Sequence, residues 1–310
     1  MYEGFYRLKE NPFRLTPDPA FICMTQQHQE ALSGLIYSVC TRPGLTVLVG
    51  EAGTGKTTLL YSLLGMLQRR HYVTAVCTNP TLTREEFYDV LMMKFEVQCD
   101  SPLKSRRLAA LEEMISRNRA EGRMSVLVVD EAQRLSPELL EEVRLLLNME
   151  TATEKKLQII MAGQPELETI LRQPQLRQLK QRVALRCLIK PLPTVAETDR
   201  YITSRLLVAG AERTDLFSSA AIDYIFRCTE GIPRNINNLC DNALLSGYAM
   251  GDLNISRAII EEVAESLDML PRAERRAHSV EARALPARIF SDVSRAELWA
   301  TGIGDGDPSN

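Results

Sequence analysis

The sequence predicts an α/β fold, a parallel sheet flanked by helices, followed by a small all-helical lid domain. Short apolar runs of strand length, among them Leu45–Val49 and Ser125–Val129, alternate with helix-periodic segments. Over about 160 residues that alternation is the pattern of parallel strands joined by crossover helices and covered on both faces. After Pro191-Leu192-Pro193 the strand-like runs stop, and every later segment reads as helix.

The elements follow in order. Residues 1–25 are rich in proline and aromatic side chains (Phe5, Tyr6, Asn11-Pro12-Phe13, Thr16-Pro17-Asp18-Pro19), which predicts an ordered, extended lead-in. Ala31, Leu32, Leu35, Ile36 and Val39 recur at helical spacing across Gln26–Cys40, and Pro43-Gly44 breaks the chain before the first strand. Tyr72–Cys77 is a second strand candidate. Thr83-x-x-Glu86 has the form of a capping box and opens a helix to about Phe95. Ser101-Pro102 starts another, running to Gly122. Ser136-Pro137-Glu138 combines an N-cap, a proline in the first turn and an early acid. Leu157–Ala162 is a further strand. Residues 26–190 thus form the α/β domain and 194–270 the helical one, with helices opening at Thr194-x-x-Glu197, Ser219, Pro233 and Ile255. Residues 271–310, Arg- and Ala-rich and then Gly- and Asp-rich, read as a largely disordered tail. Within it, Ile289, Phe290, Val293, Leu298 and Trp299 could form a short partner-docking helix, though a free tail is the preferred reading.

Bulk properties narrow the class. Apolar residues make up 45% and charged residues 25% of the 310, so the chain is neither disordered overall nor a membrane protein. Its apolar runs fall far short of the ~20 residues that span a bilayer. No charged-then-apolar signal segment opens the sequence, which sets the expected location as the cytoplasm. A net charge of -3 gives no global pull toward nucleic acid. The seven cysteines contain no C-x-x-C pair and read as reduced thiols.

Gly50-Glu51-Ala52-Gly53-Thr54-Gly55-Lys56-Thr57 fits G-x-x-x-x-G-K-[ST] at every fixed position, between a strand and a helix that continues through Thr58. The glycines let backbone N–H groups curl around phosphate oxygens, and the helix aims its positive end at them. Lys56 would reach the β- and γ-phosphates of a nucleotide and Thr57 would ligate Mg²⁺. Asp130, at the end of Val126–Val129, sits where a direct or water-mediated Mg²⁺ contact is needed. Glu131 follows it, placed to polarise an attacking water. Gln164, at the tip of the Leu157–Ala162 strand, is a candidate partner of the γ-phosphate or of that water. Arg172, Arg177, Lys180, Arg182 and Arg186 crowd the next segment. One arginine reaching across a subunit boundary would stabilise transferring phosphoryl charge, with Arg182 ahead of Arg177. Arg234, in the first turn of a helix whose dipole disfavours a cation, would contact the γ-phosphate from the helical domain.

Together these motifs resemble a P-loop AAA+ ATPase. More narrowly, several segments resemble the general secretion pathway ATPases of the ExeA/GspA type. They are Phe5–Phe13, Thr16–Pro19, His28–Leu32, Asp130-Glu131-Ala132-Gln133, Gly163-Gln164-Pro165-Glu166-Leu167 and Gly231-Ile232-Pro233-Arg234. The likeness covers about residues 1–268. It implies the AAA+ subgroup that also holds origin-recognition and transposition-regulator ATPases. These assemble as rings or filaments with nucleotide between neighbours, so a homo-oligomer is implied. It further implies ATP and Mg²⁺ as ligands, with Gln164 as first sensor, Arg234 as second, and Arg182 as the trans arginine. The lead-in around Asn11 and Phe13 is implied to lie near the adenine. Secretion members typically continue into a membrane helix and a peptidoglycan-binding part, which residues 271–310 do not resemble.

Three functions stay open at this level. The favoured one is an ATP-hydrolysing motor or switch serving a secretion or envelope assembly. The second is a DNA-binding ATP switch of the transposition type, for which Lys104, Arg106, Arg107, Arg117 and Arg119 are candidate contacts. The interspersed Glu112 and Glu113 favour a solvated helix there instead. The third is an ATP-binding scaffold, against which Glu131 argues.

Overall fold

The computed structural model describes residues 1–69, 71–78, 81–150 and 155–271, with Glu274. Helix α1 (Gln26–Thr41) leads into β1 (Leu45–Gly50), followed by α2 (Lys56–Gln68) and β2 (Tyr72–Cys77). Next come α3 (Arg84–Lys94), α4 (Lys104–Ala120), β3 (Met124–Val129), α5 (Pro137–Leu146) and β4 (Leu157–Gly163). Two short helices, α6 (Glu166–Leu171) and α7 (Arg177–Gln181), precede β5 (Val183–Ile189). The sheet order is β2-β3-β4-β1-β5, with every pairing parallel.

Every residue of β1, β3 and β4 is buried. Alternate residues point to opposite faces of a strand, so an unbroken apolar run needs cover on both sides. Val47, Val49, Leu127, Val129, Ile159 and Met161 pack with α3 to α7, while Leu48, Val126, Val128 and Ile160 pack with α1 and α2. Each such side chain contributes about 1.5–3 kcal/mol by leaving water. The Thr83 capping box is complete: its hydroxyl accepts from the Glu86 N–H and the Glu86 carboxylate accepts from the Thr83 N–H.

Strand β5 was absent from the expected elements. It forms the sheet edge beside β1, with Ala184, Arg186 and Leu188 exposed. A half-exposed edge strand carries no continuous apolar run, and the surrounding arginines read as a basic surface segment. The helix expected from Ser101 begins three residues later, at Lys104, with the Ser101 hydroxyl accepting from the Leu103 N–H ahead of it.

The remaining helices are α8 (Val195–Val208), α9 (Ser219–Thr229), α10 (Pro233–Met250) and α11 (Arg257–Ser266). Ile236, Leu239, Cys240 and Leu244 of α10 are buried, as are Ile225 of α9 and Ile260 of α11. The lead-in packs on these helices. Tyr2 donates to Asp241, Asn11 donates from Nδ2 to Asp241 Oδ1 at 3.0 Å, and Tyr6 donates to the Asp252 carbonyl at 3.0 Å. Phe13 is fully buried, edge-on to Phe217. Between α9 and α10 the chain turns back to Leu192 through Gly231, whose φ of +70° is left-handed and whose carbonyl accepts from the Leu192 N–H at 2.9 Å. A Cβ there would collide with the Leu192 carbonyl. The expected disorder of 271–310 and the docking helix around Trp299 lie outside the described residues, apart from Pro271 and Glu274.

Candidate active site

Strand order brings the motifs together. Strand β4 lies between β1 and β3, with Val49 opposite Gly163 and Met161 opposite Val129. The phosphate loop after β1, the Asp130-Glu131 pair after β3 and Gln164 after β4 therefore emerge side by side at the carboxyl ends of the strands. Open parallel sheets bind ligands in that crevice.

A cavity of about 280 Å³ sits there. One end is lined by Gly53 to Thr58 with Glu131, the other by Arg14 to Asp18, Phe21 to Cys23, Tyr201, Arg205 and Asn237. Gly50, Glu51 and Ala52 shape the loop without lining the cavity. The Gly50 and Glu51 carbonyls accept from Lys56 Nζ at 2.7 and 2.9 Å. An ammonium has three donors, so one remains. Lys56 is buried, which pulls its pKa down; the Glu131, Asp130, Glu51 and Glu166 carboxylates oppose that. Gly53 has φ +82°, and a Cβ on it would lie 2.5 Å from the Arg234 Cβ. Its carbonyl accepts from the Arg234 N–H at 3.1 Å, which docks α10 on the loop. Helix α2 starts at Gly55 with no side-chain cap, leaving its first N–H groups aimed at the cavity.

Thr57 donates to Asp130 Oδ2 at 2.7 Å. A hydroxyl and a carboxylate brought together are the oxygen donors a hard cation such as Mg²⁺ takes, and these two residues would hold one here. No cluster of three or more His, Cys, Asp or Glu occurs among the described residues. A cation held here would thus take its other ligands from water and phosphate, as Mg²⁺ does in phosphoryl-transfer sites.

Glu131 occupies the left-handed region (φ 52°), unusual for a residue with a side chain, and its N–H donates to Asp130 Oδ1 at 2.9 Å. Its Oε2 accepts from Gln133 Nε2 at 2.6 Å and from Gln164 Nε2 at 3.3 Å, while Gln133 Oε1 accepts the Gln164 N–H at 3.1 Å. Burial alone would raise the Glu131 carboxyl. The hydrogen bonds from Gln133 and Gln164 and the charges of Lys56 and Arg134 outweigh it and hold the group below the usual carboxylate range. At neutral pH it is an ionised acceptor with Oε1 to spare.

Several residues of this site were missed from sequence. Gln133 bridges Glu131 and the tip of β4. It lies inside the Asp130–Gln133 motif, and its spacing two residues after Glu131 was the available signal. Buried His28 touches the Thr54 carbonyl through Nε2 at 3.1 Å and the Thr25 hydroxyl through Nδ1 at 2.7 Å, supporting the loop from α1. Since a carbonyl only accepts, Nε2 carries the proton. Tyr201, Arg205 and Asn237 carried no local pattern.

Asn11 and Phe13 are engaged with Asp241 and Phe217 and do not line the cavity; the lining part of the lead-in is Arg14 to Cys23. Arg234 does line the cavity and has no carboxylate partner among the described residues. Arg177 is exposed and Arg182 half-buried, and neither lines the cavity of its own chain. Of the candidate DNA contacts, Lys104 is paired with buried Glu142 at 2.7 Å, Arg107 with Asp89 at 2.8 Å and Arg117 with Glu113 at 3.0 Å.

Fold and site are those of a P-loop ATPase-type nucleotide-binding protein, and residues 40–171 of the chain match the AAA domain family model. Its sequence is similar to the general secretion pathway protein A of Aeromonas hydrophila, 40% identical over 256 residues, which cover 82% of this chain and 46% of that protein. The chain thus spans about half the length of that relative. In fold it is similar to the Aeropyrum pernix ORC2 protein, solved with ADPNP and ADP (TM-score 0.56, 13% identity, 77% of this chain and 66% of that one). It is also similar to Drosophila ORC bound to DNA (TM-score 0.61, 15% identity, 90% and 70%). No helix among the described residues is long and apolar enough to cross a membrane.

Proposed function

We propose that this chain hydrolyses ATP and acts as an oligomeric motor or switch for a secretion or envelope assembly. The observation that carries the hydrolytic reading is the Glu131 carboxylate, kept ionised and held by two amides beside the phosphate loop. A site that only bound nucleotide would have no use for it.

In this reading the loop N–H groups and the third donor of Lys56 grip the β- and γ-phosphates. Thr57 and Asp130 would hold Mg²⁺, which would supply positive charge against the developing phosphate charge. Glu131 Oε1 accepts a proton of the attacking water and orients its lone pair toward phosphorus. Gln164, already donating to Glu131, is the candidate hydrogen-bond partner of that water or of the γ-phosphate. Arg234 adds positive charge from the helical lid. Arg182, or else Arg177, of a neighbouring copy supplies the trans charge. The secretion role is taken from the 40% identical relative. The DNA-dependent alternative draws no support from α4, where Lys104, Arg107 and Arg117 are already paired with carboxylates.

The test is steady-state ATP hydrolysis by the wild type, Glu131→Gln and Lys56→Ala, with and without duplex DNA at physiological salt. Turnover lost in both variants and indifferent to DNA is expected. Strong stimulation by DNA would move the protein to the transposition-type reading, and absence of turnover in the wild type would reduce it to a scaffold.

A further inference from the structure

At the end of the cavity away from the phosphate loop, a chain of hydrogen bonds fixes the orientation of one amide. Arg205 of α8 is buried and has only donors. Its Nε donates to the Pro12 carbonyl, its Nη2 to the Arg14 carbonyl at 3.3 Å, and its Nη1 to the Tyr201 hydroxyl at 3.2 Å. Having accepted there, the Tyr201 hydroxyl has a single proton to give, and it gives it to Asn237 Oδ1 at 2.8 Å. Were the amide reversed, the Tyr201 oxygen would receive two donors and its own proton would have no acceptor. The direction of the relay therefore settles which amide atom faces Tyr201.

Asn237 lines the cavity and is 7% exposed. It lies one helical turn after Arg234, whose backbone is docked on Gly53. With Oδ1 committed to Tyr201, Nδ2 is left as a donor with no partner among the described residues. It is not among the fully enclosed polar atoms that lack one, and Asn237 is among the residues that line the cavity. A nearly buried donor aimed into a ligand cavity is costly to leave unmade.

We propose that Asn237 is a base-reading residue: its amide N–H donates to a ring-nitrogen acceptor of the nucleobase, and Arg205 and Tyr201 hold it in the donor orientation. The proposal rests on the nucleotide reading of the site and adds the group that recognises the base. Tyr201 and Arg205 act through Asn237 and are positioning residues. The ligand class is a purine nucleoside triphosphate, whose ring nitrogens offer acceptors at the edge.

The test is calorimetric binding of ATP and of 1-deaza-, 3-deaza- and 7-deaza-ATP to the full chain, wild type beside Asn237→Asp and Tyr201→Phe. Asn237→Asp preserves the acceptor for Tyr201 and turns the cavity-facing donor into an acceptor. It should weaken ATP binding about tenfold or more, the scale of one buried hydrogen bond replaced by an unsatisfied pair. One deaza analogue should bind the wild type about five- to tenfold more weakly than ATP, yet match ATP on the variant, since the acceptor it lacks is the one Asn237 reads. Tyr201→Phe frees the amide to turn and should narrow the gap between ATP and that same analogue. Equal binding of ATP by wild type and Asn237→Asp, or three analogues indistinguishable from ATP, would overturn the proposal while leaving nucleotide binding standing. A wild type that bound no nucleotide would overturn the nucleotide reading, and this proposal with it.

Discussion

The two ends of the cavity are built on different principles. At the phosphate end, Lys56, Thr57, Asp130, Glu131 and Gln164 sit on or just beyond the tips of three adjacent strands, and all are held within the α/β layer. At the opposite end no strand contributes. The wall there is made of an irregular segment, Arg14 to Cys23, laid against α8 and α10. Buried Arg205 pins that segment through two carbonyls and spreads its guanidinium near the rings of Phe21 and Tyr201, 4.9 and 5.7 Å from their centroids. One end is thus rigid by topology. The other is held by a few polar side chains that join distant parts of the chain.

That contrast predicts different failures. The largest effect is expected for Arg205→Ala, which leaves the Pro12 and Arg14 carbonyls without their donor and removes packing from two rings. A loss of about 2–3 kcal/mol would lower the melting temperature by about 5–10 °C for a chain of this size. Nucleotide affinity should fall with it. If melting and affinity both stayed put, the lead-in would be held by its apolar contacts alone, and the contrast between the two ends would dissolve.

At the phosphate end Gln133→Leu should preserve the fold and impair the chemistry. It removes the shorter of the two bonds to Glu131, so turnover should drop about tenfold. The bond stabilises the ionised carboxylate, and losing it raises the carboxyl's pKa. The acid limb of the pH–rate profile should therefore move to higher pH, with ATP affinity unchanged. A loss of affinity without a shift of that limb would make Gln133 a support for the loop and not for Glu131.

The smallest effect belongs to His28, where burial depresses the imidazole below its ordinary value despite the bond to Thr54. Below about pH 6.5 the unfolded chain takes up a proton that the folded chain refuses. The stability gained by keeping His28 neutral is thus full at neutral pH and is lost as the pH falls. His28→Gln, which can still donate to the Thr54 carbonyl, should flatten the decline of melting temperature between pH 7.5 and 5. An unchanged slope would remove His28 from the acid sensitivity of the loop.

How much could be read beforehand follows the same division. The phosphate loop is contiguous, and Asp130-Glu131 ends a strand that could be recognised from its unbroken apolar run, so both carried their chemistry in local order. Gln164 was found the same way. Strand β5 escaped because an edge strand needs only one covered face, and Val183 to Ile189 alternates accordingly. The opposite end joins Arg14, Tyr201, Arg205 and Asn237, more than two hundred residues apart at the extremes, through bonds that no spacing encodes. The family resemblance implied that Asn11 and Phe13 lie near the adenine, in keeping with the apolar, proline-fixed character of their segment. That character seats them on the helical region, Asn11 three residues and Phe13 one residue before the segment that lines the cavity.

The central claim is that Glu131 activates water at a nucleotide held by the loop. Single-turnover hydrolysis of ATP by Glu131→Gln, measured beside its ATP affinity, tests it most directly. Binding like that of the wild type with the chemical step slowed at least ~100-fold is the predicted result. Hydrolysis at the wild-type rate would contradict it, and would show that the two amides hold Glu131 for some purpose other than catalysis.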